Sequence, residues 1–348
     1  MASKKILYEV SIIRPLVILL LVVMHSFSMY GGGWELPKGM EIVVTYKWFV
    51  KFIVGFRIET IALVAGYVFA YQSIDLGRKY DIFPFIIKKF KRLIIPAIFF
   101  GFIYFFLFLY KKEIFSSREF ILSLVSGIGH LWFLPMLFWC FLFLCFIGKH
   151  DFQNKWLFII LAFLSIIPIP FEIPLGLQRV FHFLFYCYGG YLLYANRILI
   201  YNKFLNKRTI ILLCVLYILL VVINTEFIIS LNIDNASFFV RGLKSLLFGF
   251  FKLIISCSGI MMVYLIVSKF TVRENFKPYN WVIKSSAICY GVYVYHQFIL
   301  IWLYYYSSFP QIVGTYWLPW LGCIITLSLA ILFAHFTIKT KIGRFLIG

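Results

Sequence analysis

Ten apolar runs, each about as long as a helix must be to cross the hydrocarbon core of a bilayer, follow one another along this 348-residue chain. They lie near 10–29, 48–72, 93–110, 131–147, 156–173, 178–195, 209–229, 245–267, 285–306 and 317–338, with charged breaks between them. Barrel strands would be about 10 residues long and would alternate apolar with polar. These runs are longer and continuous, so the expected fold class is all-α, a polytopic membrane protein of about ten transmembrane helices. No hydrophilic stretch is long enough for a separate soluble domain, so residues 1–348 are expected to form a single transmembrane domain. The first run follows Lys4 and Lys5, contains Arg14 and His25, and has no small-residue cleavage site. It is therefore expected to be a retained first span and not a signal peptide.

Composition matters for what it excludes. The chain is 63% hydrophobic and 13% charged, with a mean hydropathy of +0.95, where a soluble domain is nearer half apolar and a quarter charged. A soluble enzyme, a disordered chain and a disulfide scaffold are excluded. The net charge of +20 would suggest nucleic acid in a soluble protein, but here the aromatic residues lie in apolar runs and no nucleic-acid partner is expected. The useful question is which side of the bilayer the cations occupy.

With the N-terminus inside, about 21 of the 33 Lys and Arg fall on inner segments. These are Lys4 and Lys5; Arg78, Lys79, Lys88, Lys89, Lys91 and Arg92; Lys149 and Lys155; Arg197, Lys203, Lys207 and Arg208; Lys269, Arg273, Lys277 and Lys284; and Lys339, Lys341 and Arg344. About eight fall on outer segments: Lys38, Lys47, Lys111, Lys112, Arg118, Arg179, Arg241 and Lys244. That bias supports an even number of spans, with both termini cytoplasmic in the cell membrane.

A few ionisable groups lie within the apolar runs, where burial in lipid costs kilocalories and such groups pair or face a cavity. Arg14 and His25 are eleven residues apart, close to three helical turns, so they share a helix face about 16 Å apart along the axis. Arg14 would lie at the cytoplasmic end and His25 in the outer half. The blander alternative is a snorkelling Arg14 and a packing His25. Arg57 and Glu59 sit in the second run. The cluster Lys88-Lys89-Phe90-Lys91-Arg92, just before the third run, suits a multiply charged phosphate, a topogenic signal or anionic headgroups. His130 and Trp132 stand at the outer mouth of the fourth run, and Tyr290, Tyr293 and His296 fall in the ninth. His182 and His335 are weaker candidates, and His150 is expected in a loop. The seven cysteines all fall in apolar runs, as small core residues. No metal pattern, GxSxG elbow, P-loop, HExxH or Rossmann fingerprint is present, so no metal is expected.

In order and spacing these segments resemble the membrane acyltransferase-3 family. Its hallmark is an Arg and a His separated by ten residues in the first span, here Arg14 and His25. The Phe56–Tyr67 stretch resembles its second-span motif, with Ala65 and Tyr67 where Ser and Phe are usual. Lys89-Phe90-Lys91-Arg92 stands for its RxxR motif, where Lys89 keeps the charge but loses a bidentate fork. His130–Leu134, Gly189-Gly190-Tyr191 and Tyr290–His296 follow in family order.

The resemblance implies O-acylation of a hydroxyl on an extracytoplasmic or lipid-linked glycan in the cell envelope, with acetyl-CoA as the usual donor. Members with an esterase-like domain pass the acyl group to it; this chain would finish the transfer itself. The donor's nucleotide would bind at Arg14, Lys88, Lys89 and Arg92, and its arm would run along the Arg14–His25 face to His25. His25 is the candidate general base, with a covalent acyl-His intermediate also open. Glu59 would orient His25 or neutralise Arg14 or Arg57. Arg57, His130, Trp132 and His296 are candidate acceptor contacts. A multi-span transporter or flippase of a polysaccharide precursor is the alternative, for which buried charges are equally natural. A non-enzymatic partner in envelope assembly would leave the Arg14–His25 register unexplained.

Overall fold

The computed structural model describes residues 7–109, 117–147, 154–167, 169, 173–229, 237–272, 276 and 278–348. Lys4, Lys5, Lys111, Lys112, Lys149, His150, Arg273 and Lys277 lie outside the described residues, as does the side chain of Arg118. Among the described residues every regular element is helical. In chain order these are α1 (Tyr8–Ser26), α2 (Val44–Val54), α3 (Arg57–Ile74), α4 (Ile82–Lys89), α5 (Ile95–Tyr104), α6 (Ser117–Ser126), α7 (Phe133–Ile147) and α8 (Lys155–Ile166). They continue with α9 (Leu177–Ala195), α10 (Arg197–Phe204), α11 (Lys207–Ile223), α12 (Phe238–Thr271), α13 (Asn280–Tyr305), α14 (Phe309–Val313), α15 (Leu318–Lys339) and α16 (Lys341–Ile347).

Among the described residues, eight stretches are long and apolar enough to cross a membrane: Tyr8–Ser26, Val44–Ile74, Ile82–Leu109, Gly129–Ile147, Lys207–Ile228, Phe239–Thr271, Asn280–Tyr305 and Leu318–Lys339. The two other expected spans differ for physical reasons. The run at 156–173 yields α8, of only 12 residues, about 18 Å at 1.5 Å per residue and short of a core of about 30 Å. The run at 178–195 becomes α9, long enough at 19 residues but diluted by Gln178, Arg179, His182, two glycines and four tyrosines. Leu212, Val215, Ile218 and Leu219 on α11 are exposed, as a face turned to lipid requires.

Helix geometry departs from the regular α form at Gly55–Phe56 and over Phe90–Ile94. Gly55 and Phe56 separate α2 from α3 inside the second run. Backbone freed at membrane depth needs a partner in the protein, and Ser256 Oγ donates to the Gly55 carbonyl at 2.6 Å. Around Lys88–Arg92 the helix continues through the cluster expected to precede it, but as a π turn over Phe90–Ile94. Pro96 has no N–H for the Arg92 carbonyl and its ring presses on that turn, which widens the helix at this point.

By its contacts the chain divides into two compact units. One comprises Glu59–Leu205 and Glu226–Ile254; the other comprises Lys5–Ile58, Asn206–Thr225 and Ile255–Gly348. In the first, α9 packs on α7 and α8, and α3 meets α9 at two glycines. A Cβ on Gly66 would stand 1.7 Å from the Cys187 carbonyl oxygen, and one on Gly190 would stand 2.0 Å from that of Leu63. Such backbone contact is how helices associate where lipid removes the hydrophobic drive between them.

In the second unit α1, α13 and α15 pack on one another. The chain leaving α1 turns through Ser28–Gly31 and reverses at Gly32, whose φ of 78° lies in the left-handed region. Tyrosines then clamp this end. Tyr30 donates to the Thr315 carbonyl at 2.8 Å, Tyr46 to that of Tyr316 at 2.9 Å, Tyr304 to that of Ser26 at 3.0 Å and Tyr305 to that of Glu35 at 2.7 Å. Burial pushes the Tyr30 phenol up to about 12, so it stays a donor throughout the physiological range. Phe27, Tyr46, Phe49 and Trp320 fill the space between with ring centroids 4.8–6.3 Å apart.

The α3–α9 contact makes a clear prediction. Gly66→Ala or Gly190→Ala forces backbone apart and is expected to cost about 1–3 kcal/mol or more, read as a lowered melting temperature in detergent. Gly189→Ala, whose Cβ would meet only the Phe158 ring at 3.5 Å, is expected to melt like the parent. Equal melting of all three would contradict the contact.

Candidate active site

His25 occupies the last turn of α1. Its imidazole Nδ1 lies 3.0 Å from Nε2 of His296 on α13, and the two ring centroids are 4.9 Å apart. His296 is completely buried, and its own Nδ1 lies 2.6 Å from the backbone carbonyl of Tyr293, one turn earlier. The protons of this chain follow from simple hydrogen-bond logic. A carbonyl oxygen can only accept, so His296 Nδ1 carries a hydrogen. In neutral His296 the remaining nitrogen, Nε2, then holds a lone pair and accepts from His25 Nδ1–H. In neutral His25 that leaves the lone pair on Nε2. The relay therefore selects the tautomer of His25 with a basic Nε2, as a buried orienting partner does for a catalytic imidazole.

The face of the His25 ring is covered by Trp34, stacked at 5.8 Å between centroids and 21° between planes. Trp34 is returned to His25 by the turn at Gly32, and it packs in turn on Tyr304 and Tyr305 at 6.4 and 6.2 Å. Arg57, at the start of α3, is buried, donates from Nη1 to the Val54 carbonyl at 3.2 Å and acts electrostatically on His296. Arg14 is exposed on α1, eleven residues before His25, and acts electrostatically on Cys289 of α13.

Glu59, Lys88, Lys89, Arg92, His130, Trp132 and His182 lie in the first unit. Glu59, expected to orient His25 or neutralise Arg14 or Arg57, has a different partner. It is buried with Oε1 3.5 Å from Nε2 of His182, while His182 Nδ1 donates to the Ser165 carbonyl at 3.1 Å. The cause is the close α3–α9 approach, which brings the weaker candidate His182 to the carboxylate. His296, expected as an acceptor contact, is the residue that holds His25. Lys88, Lys91 and Arg92 are exposed, whereas Lys89 Nζ sits 3.2 Å from the centre of the Phe141 ring, a cation–π contact. His130 is buried beside Tyr104, and Trp132 carries the Arg179 guanidinium over its ring at 4.5 Å. Among the described residues no group of three or more His, Cys, Asp or Glu is placed to hold a metal.

The sequence carries no signal for the His25–His296 and Glu59–His182 contacts, whose members are far apart in the chain. Trp34 is close to His25 in sequence, but only the chain reversal at Gly32 brings its ring onto the imidazole.

No curated protein and no solved structure matches the chain. A family model described as an acyltransferase domain, that of acyltransferase-3, matches residues 7–335. With nearly the whole chain matched and its long apolar helices arranged as above, this protein belongs to the membrane acyltransferase-3 family.

Proposed function

We propose that this acyltransferase-family protein is an O-acyltransferase of the cell membrane with both termini cytoplasmic, which moves an acyl group, acetyl in the usual case, from cytoplasmic acyl-CoA to a hydroxyl of an extracytoplasmic or lipid-linked glycan. The observation that carries this reading is the relay from the Tyr293 carbonyl through His296 to His25. It leaves His25 Nε2 able to take the acceptor's proton as the hydroxyl oxygen attacks the thioester carbonyl. The same nitrogen then returns the proton to the departing thiolate. His25 acts as base and then acid, and His296 acts through it as a positioning residue.

The donor has a polyanionic nucleotide end and a thin pantetheine arm. Arg14 shares a face of α1 with His25, and the separation of about 16 Å suits an extended arm between them. Arg14 is assigned to a donor phosphate on this ground, since charge-assisted bonds to phosphate are among the stronger ones. The exposed Lys88 and Arg92, with Lys89 beside them, form a second polyphosphate-binding candidate in the other unit. Arg57 is the proposed acceptor contact within the His25 unit. Trp34 over the imidazole face would exclude water from the thioester.

The test is release of free CoA from acetyl-CoA by purified protein, with and without candidate glycan acceptors. His25→Ala is expected to lower kcat by about 10²–10⁴-fold, the usual contribution of a general base. Arg14→Ala is expected chiefly to raise the KM for acetyl-CoA. Full turnover by His25→Ala would overturn the assignment of the base, and a wild type that binds no CoA would overturn the donor.

His296 is tested by a pair of variants. His296→Phe removes the acceptor of the His25 Nδ1 proton and is expected to lower kcat about 10²-fold without raising KM. His296→Gln keeps a side-chain oxygen able to accept that proton and is expected to recover most of the rate. Equal kcat in the two variants would mean that His296 only fills space.

A further inference from the structure

One buried polar group beside the relay has no function in it. Gln297 follows His296 on α13 and is 6% exposed, and its Oε1 makes no hydrogen bond among the described residues. An amide left unsatisfied at membrane depth is costly, and a residue retained at that cost calls for a ligand. The helix register indicates where such a ligand would lie. Tyr293, Gln297, Leu300 and Tyr304 recur at i, i+4, i+7 and i+11 and form one stripe of α13. Two members of that stripe meet the end of α1 that bears His25. Leu300 packs in one cluster with Met24 and Phe27, and Tyr304 donates to the Ser26 carbonyl. Gln297 lies on this stripe, at the level of His296 and one peptide from it.

The geometry points to Gln297 as a residue that contacts substrate, its amide N–H receiving the oxyanion formed when the thioester carbonyl is attacked. This rests on the reading of His25 as base. A half-turn of the terminal amide presents either its oxygen or its NH2 at the same place, so the orphaned position becomes a donor without moving the chain. The step balances as follows. The acceptor oxygen forms a bond to the carbonyl carbon while its proton passes to His25 Nε2, and the carbonyl electron pair moves onto oxygen, where the Gln297 N–H holds it. The pair then returns, the C–S bond breaks, and the proton on His25 passes to the CoA sulfur, giving ester and free thiol. Gln297 exchanges no proton. A preorganised donor of this kind accelerates the step because it meets charge only in the transition state.

The test uses the full chain in detergent with acetyl-CoA and the best acceptor from the turnover assay. Gln297→Leu, which replaces an unsatisfied amide by an apolar group of similar size, is expected to melt at or above the parent temperature. Its kcat is expected to fall about 10²–10³-fold with the KM for acetyl-CoA unchanged. Gln297→Met is a second variant should leucine fit poorly. Ser268→Ala is the control, because Ser268 is also buried with an orphaned oxygen but lies on α12 and not on α13; it is expected to keep full kcat. Wild-type kcat in a folded Gln297→Leu or Gln297→Met protein, alongside a defective His25→Ala, would overturn this assignment alone. Absence of turnover in the wild type would overturn the acyltransfer reading and this assignment with it.

Discussion

Between the facing nitrogens of two neutral histidines there is room for one proton, and its location decides which atom of His25 is basic. The Tyr293 carbonyl settles the matter from the far end of the chain, because it cannot donate. Everything the proposed chemistry needs depends on that constraint. If His296 turned, His25 could place its proton on Nε2 and would have no lone pair there for an acceptor hydroxyl. The relay thus replaces the carboxylate that usually orients a catalytic imidazole with a second imidazole bound to backbone. A buried carboxylate would add a full charge at membrane depth, and this arrangement orients the ring without one.

The fold around the pair serves to keep two helices in register. His25 is in the last turn of α1, where a helix would ordinarily fray. Fraying is opposed by the tyrosines, which tie backbone carbonyls after α1 and between α13 and α15 to side chains from the opposite segments. Each such bond ends on a carbonyl that regular secondary structure leaves without a partner, so the clamp also solves the problem of irregular backbone near lipid. Gly32 and Trp34 belong to the same device, the glycine reversing the chain and the indole closing over the imidazole face.

Much of this was legible in the sequence, for reasons that can be named. A lipid solvent permits few folds, so long apolar runs translate directly into helices, as α1, α13 and α15 illustrate. The register of Arg14 and His25 is local, and α1 preserves it. What failed to show was either marginal or distant. The short α8 and the tyrosine-rich α9 lie near the limit of length or hydropathy for a span. The break at Gly55 depends on Ser256, two hundred residues away in the chain. Sequence proximity favours Glu59 as a partner for His25, Arg14 or Arg57, whereas helix packing places His296 against His25 and His182 against Glu59.

The protonation pattern of the relay can be observed directly. The protein, labelled with 15N in its histidines and reconstituted in bilayers, would be examined by solid-state NMR, with His25→Gln and His296→Gln samples to assign the two rings. Both rings are expected to be neutral with the hydrogen on Nδ1, so that Nε2 of each resonates as an unprotonated nitrogen. A His25 ring carrying its hydrogen on Nε2 would contradict this pattern.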